Sequence, residues 1–157
     1  MLDVLKVACT QLGVGEQGRN ITPYGEWYGK RAGENWNGQP WCAMFVSWCY
    51  AQSGQALPEL QAPKFNGFAS ADLGRTACRK LGWVVDEPRP GDIVFFGGVK
   101  KARHVGFVMH ASRASGQVVT IEGNTSGPMG KDGVFIKLHV MTEPMVFARP
   151  RFGEVGE

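Results

Sequence analysis

Three places in the chain carry side chains able to do covalent chemistry together: Cys42, His104 and the pair Glu122 and Asn124. A cysteine nucleophile needs a base to take its proton and a third group to hold that base. Cys42 lies in Pro40-Trp41-Cys42-Ala43-Met44-Phe45-Val46-Ser47-Trp48-Cys49. Pro40 suits a first helical position, where its missing N–H costs nothing. Trp41, Phe45, Trp48 and Cys49 recur at helical spacing, so Cys42 falls in the first turn. Free backbone N–H groups and the positive end of the helix dipole stabilise an anion there. A small hydrophobe in a core helix would read the same way. The base must decide.

His104 opens a strand directly after a turn, where a side chain projects from a sheet edge. His110 follows six residues later, on the same face if the strand is regular but about 20 Å away, so one site cannot use both. His139 comes late in a strand without polar company and reads as structural. Glu122 and Asn124 are two apart in a strand, hence on one face, with Gly123 between them permitting close approach. A carboxylate accepting from the histidine fixes its tautomer and stabilises the imidazolium.

The elements that must position these groups change character along the chain. Leu2, Leu5, Val7, Ala8 and Leu12 mark an amphipathic helix stopped by Gly13 and Gly15. Residues 18–38 are aromatic and loop-rich. The Cys42 helix ends near Ser53-Gly54. Pro58 and Pro63 interrupt the next stretch, and residues 68–80 form a third helix closed by Gly82. Arg89-Pro90-Gly91-Asp92 is a turn signature, followed by strands at 93–96, 104–110, 117–124, 134–140 and 145–149. The connection between the first two strands, including Val99, Lys100, Lys101 and Arg103, is basic. Helices first and strands last, with short connections, predict an α+β domain of helices packed on an antiparallel sheet of about five strands. One domain is expected over residues 1–152, with a polar tail at 153–157.

Composition excludes several classes. The chain has 157 residues, 43% hydrophobic and 20% charged, which suits one soluble globular domain with its own core. A net charge of +3 without a dense basic stripe argues against nucleic-acid binding. No apolar run approaches the roughly 18 residues of a membrane span. The first residues lack the segments of a secretory signal, so synthesis in a cytoplasm is expected. Cys42 and Cys49 in one helix would stand about 10 Å apart along its axis, beyond the roughly 7 Å limit for a disulfide. Cys9, Cys49 and Cys78 sit among apolar helical residues and are expected to be reduced, buried and inert. The histidines fall at no zinc-ligand spacing.

Pro40-Trp-Cys42-Ala-Met-Phe-Val46, Pro90-Gly-Asp-Ile-Val-Phe-Phe96, His104-Val-Gly-Phe-Val108 and Ile121-Glu-Gly-Asn124 occur in the order that resembles the CHAP family. These are cysteine, histidine-dependent amidohydrolases and peptidases of the papain-like NlpC/P60 group. The resemblance implies peptidoglycan hydrolysis with Cys42 as nucleophile, His104 as base, Glu122 as orienting residue and Asn124 as an auxiliary polar member. Tyr24-Gly-Glu-Trp-Tyr28-Gly also looks like the version seen in many phage lysins. The bond would be the muramoyl–L-alanine amide or a peptide bond of the stem or cross-bridge, and the enzyme, favoured as a monomer, would reach the wall after release or delivery.

In such a reaction one oxyanion donor is the Cys42 backbone N–H, and the second is Gln39, Tyr24 or Tyr28. Trp27, Tyr28 and Trp36 are candidates to line the substrate groove, whereas Trp41 and Trp48 read as core. No cofactor or metal is expected: the loop at 19–26, where some relatives bind calcium, holds one carboxylate, and calcium prefers several. Two other functions compete, a thiol amidohydrolase acting on a soluble amide and a non-catalytic virion or wall-associated module. Intact Cys42, His104 and Glu122 favour catalysis.

Overall fold

The computed structural model describes residues 3–61, 65–98, 100–142 and 144–152. Leu2, Pro63, Val99 and the tail at 153–157 lie outside the described residues. Among the described residues four helices precede six strands: α1 (Asp3–Thr10), α2 (Pro23–Ala32), α3 (Cys42–Gln52), α4 (Ala71–Lys80), β1 (Val84–Val85), β2 (Ile93–Gly97), β3 (Ala102–Ser112), β4 (Gln117–Ser126), β5 (Asp132–Val140) and β6 (Met145–Ala148). The class is α+β, as the element order predicts. The sheet has one strand more than expected, because the two-residue β1 pairs with β6.

Helix α2 corrects the expectation of a loop across residues 18–38. Thr22 caps it, its hydroxyl accepting from Gly25 N–H at 3.1 Å, Pro23 occupies the first turn, and Gly33 closes it in the left-handed conformation at φ 70. Gly25 and Gly29, one turn apart, make the segment look loop-like. They are where residues 34–37 lie against the helix. A Cβ at Gly25 would sit 2.6 Å from Asn37 Oδ1, and one at Gly29 would sit 2.5 Å from Glu34 O.

Helix α3 is the central element. It begins at Cys42 rather than Pro40: Trp41 is the N-cap, and its carbonyl accepts from Phe45 N–H at 2.9 Å. The helix is buried on nearly every side, from Cys42 to Ser47 and again at Cys49 and Tyr50. Among the described residues no helix is long and apolar enough to cross a membrane.

The strands run in the order β1-β6-β2-β3-β4-β5, and every neighbouring pair is antiparallel. Side chains alternate between two faces. Ile93, Phe95, Val105, Phe107 and Ile121 join the helices in the main core. Val94, Val108 and Val118 form a smaller cluster on the other face, with Phe96, Met145 and Phe147 packed against it.

The sheet is open but must curl. β5 and β6 stand four strand spacings apart in the order, about 19 Å if the sheet were flat. The five Cα steps from Val140 to Met145 reach at most about 18 Å fully stretched, and this link contains a turn. Phe96 on β2 and His139 on β5 accordingly have ring centroids only 4.6 Å apart, across three strand spacings.

Candidate active site

Two glycines set the approach of α3 to the sheet. A Cβ on Gly123 would lie 2.8 Å from Phe45 Cβ and 2.8 Å from Trp41 Cζ3, so β4 presses its bare backbone against the start of α3. Glu122, the preceding residue, faces the other way. Its side chain crosses β3 at Gly106, where a Cβ would lie 2.7 Å from Glu122 Cγ. That path brings the carboxylate to His104.

Glu122 Oε2 and His104 Nε2 are 2.6 Å apart. An ionised carboxylate only accepts, so Nε2 carries the proton, and Nδ1 is the nitrogen left for Cys42. Burial opposes charge on the ring. Hydrogen bonding with Cys42 and Glu122, reinforced by the charges of both, outweighs that and raises the His104 pKa from the ordinary 6.5 to about 10. For Glu122, burial likewise opposes charge, but hydrogen bonds from His104, Thr120 and His139, together with the His104 charge, hold its pKa below the ordinary value. Cys42 occupies the first position of α3, where the helix itself leaves N–H groups without partners. The trio can therefore hold a thiolate, an imidazolium and a carboxylate in sequence.

The other thiols are placed differently. All four cysteines are free, with Cys9 half-buried rather than fully buried. Desolvation pushes the Cys49 thiol well up and the Cys78 thiol to about 12.

A cleft of about 520 Å³ opens beside the nucleophile, lined by Trp36, Gln39, Cys42, Ser70, Lys101 and Arg103 among others. Its basic wall is anchored from beneath. The buried Arg75 donates to Gly98 O at 3.2 Å and to Asp72 Oδ1 at 3.0 Å, and the same Oδ1 accepts from Ala102 N–H at 2.8 Å. Lys101 and Arg103 are exposed and have no ion-pair partner among the described residues.

Gln39 and Trp36 thus stand at the cleft, and Tyr24 and Tyr28 do not. Tyr24 is fully buried, stacked on Trp41 at 5.3 Å, and its hydroxyl donates to Gln11 Oε1 at 2.9 Å. Tyr28 is buried against Trp36, and its hydroxyl, with a pKa raised to about 12 by desolvation, has no hydrogen-bond partner among the described residues. Neither tyrosine is positioned as an oxyanion donor.

Asn124 does not sit as simple alternation predicts. A register shift falls between Glu122 and Thr125, and Asn124 takes the left-handed conformation at φ 56, which asparagine tolerates. Its side chain forms no hydrogen bond among the described residues. His110 also departs from expectation. The bulge after Val108 pairs it with Val119 instead of Val118, which changes its face, and it is exposed.

His139 is the larger correction. Far from lacking polar company, its Nε2 stands 2.6 Å from Glu122 Oε1, and the Thr120 hydroxyl donates to the same oxygen at 2.6 Å. Thr120 could have been inferred, being two residues from Glu122 in a regular strand. Nothing local marked His139.

The fold and site define a papain-like arrangement in which a helix-start cysteine meets a strand histidine and carboxylate. The CHAP domain profile matches residues 34–124, more than half of the chain, and the protein belongs to that family. CHAP domains are typically amidases or peptidases. No curated protein matches the chain.

Proposed function

We propose that the protein hydrolyses an amide bond of bacterial peptidoglycan, using Cys42 as nucleophile and a thioester acyl-enzyme. The observation that carries this reading is the His104 ring held between the Cys42 thiol and the Glu122 carboxylate. With the imidazole protonated, the Cys42 thiolate attacks the amide carbonyl. The resulting oxyanion is met by the Cys42 N–H and the Gln39 side-chain amide, the one oxyanion candidate that lines the cleft. His104 gives its proton to the leaving amine as the C–N bond breaks. Neutral His104 then takes a proton from water as the water oxygen attacks the thioester; the C–S bond breaks, the product acid leaves and ionises to a carboxylate, and the thiolate–imidazolium pair is regenerated. Glu122 stays ionised throughout and balances the imidazolium.

The cleft favours a wall substrate. Lys101 and Arg103 present cations at its wall, which suit the carboxylates of a stem peptide. We place the reaction on the wall polymer, at the muramoyl–L-alanine amide or a stem or cross-bridge peptide bond. The test is digestion of purified peptidoglycan with mass spectrometry of the released fragments, which identifies the bond. Cys42→Ala should fold as wild type and lose activity by on the order of 10⁴-fold or more. Fragment release retained in that variant would overturn the mechanism.

A further inference from the structure

We propose that His139 is a positioning residue for this reaction, holding Glu122 in register with His104. The inference rests on the catalytic reading above and goes beyond it, because the hydrogen bond of His139 is made to Glu122, the residue that holds the base. Glu122 uses its two oxygens separately. Oε2 faces His104, whereas Oε1 takes Thr120 and His139, each partner at 2.6 Å. The Glu122 side chain is only 2% exposed, so water does not supply missing donors. A buried carboxylate with one oxygen unpaired would turn about its last torsion, a broad and soft one, to satisfy it. Two donors on Oε1 remove that freedom.

His139 reaches this point through the curl of the sheet, and Phe96 holds it there. The Phe96 ring lies 4.6 Å from His139 and 5.7 Å from His104, against both imidazoles that share the carboxylate. A carboxylate accepts only, so His139 Nε2 is the donor. A side-chain amide could replace that donor; a phenyl ring could not.

The experiment compares wild type with His139→Phe, His139→Gln and Thr120→Val in two measurements. The first is the pH profile of Cys42 alkylation by iodoacetamide, with Cys42→Ala reporting background from other thiols. The second is kcat and KM on solubilised peptidoglycan. Loss of the His104 proton gives the profile an alkaline step near pH 10 in the wild type. His139→Phe should move that step to lower pH, because a turned Glu122 no longer supports the imidazolium. It should also lower kcat about tenfold with KM little changed. His139→Gln should restore both.

A folded His139→Phe with the wild-type step and kcat overturns the proposal, as does an upward shift, which would mean Glu122 stayed in place and merely lost a competing donor. If His139→Phe does not fold, Thr120→Val carries the test through the same oxygen: a downward step supports the proposal and an unchanged one overturns it. The alkylation arm needs no wall substrate. A shifted step in a protein whose wild type releases no fragments would therefore leave the positioning role standing and remove the peptidoglycan reading.

Discussion

The two faces of the sheet are built for different purposes. The helix-facing side is dry: Phe107 meets Phe45 at 6.2 Å and Tyr50 at 5.6 Å, and Ile93, Phe95, Val105 and Ile121 are buried around it. The opposite side has a small valine cluster, and beside it a polar chain that runs from Thr120 and His139 through Glu122 to His104, with Thr120 and Glu122 buried and both histidines half-buried. Apolar burial is non-directional and tolerates rearrangement. A buried polar chain is directional and fails when one member is lost. Stability should reside mainly on the first face, and the tuning of His104 on the second.

The sharpest way to break this contrast is Glu122→Gln. It keeps the shape but removes the charge that supports the His104 imidazolium, and kcat should fall by on the order of 10³- to 10⁴-fold with the fold retained. Circular dichroism and turnover on peptidoglycan check it; a loss of structure matching the loss of activity would mean that the polar face is part of the scaffold. Phe107→Ala probes the other side. Removing that ring from the main core should cost about 3–5 kcal/mol in urea unfolding, while kcat below the unfolding transition stays near wild type.

Proton linkage separates the faces further. The His104 pKa is raised, so its contribution to stability is full below pH 6.5 and is lost as pH rises through about 10. The Glu122 pKa is lowered, so its contribution is present above 4.5 and is lost as pH falls through the depressed value. Tm should therefore hold between these limits and decline outside them. In Glu122→Gln the alkaline decline should move to lower pH, and in Phe107→Ala it should not. The smallest effect belongs to the cleft rim. Lys101→Gln with Arg103→Gln should raise KM for stem peptides a few-fold, about 1 kcal/mol or less for exposed charges, with kcat and Tm unchanged.

Legibility from sequence followed the range of the interactions involved. Helix α3 and strands β2 to β6 show plain apolar patterning and turn signals, and each was readable within a residue or two. Helix α2 was hidden because Gly25 and Gly29 look like loop residues until residues 34–37 are seen lying on them. Its Thr22-Pro23 start and Gly33 stop were the available signals. Tyr24 and Tyr28 looked eligible as donors because residue type says nothing about which way a helix turns its rings. The polar pair at 122 and 124 was found, but the bulge beyond Glu122 breaks the alternation that was to place Asn124 beside it.

By itself the sequence determined the α+β class, helices before strands, the family, and the three groups Cys42, His104 and Glu122 as partners. These depend on local periodicity, on a cysteine at a helix start and on residue types in a given order. Only the tertiary structure decided that His139 joins Glu122, that Gln39 rather than a tyrosine faces the cleft, and that Lys101 and Arg103 wall it. Each of these depends on curvature and on close backbone approach. The curl that brings β5 across to Phe96 follows from a link too short for a flat sheet, a constraint that appears only once the strand order is known.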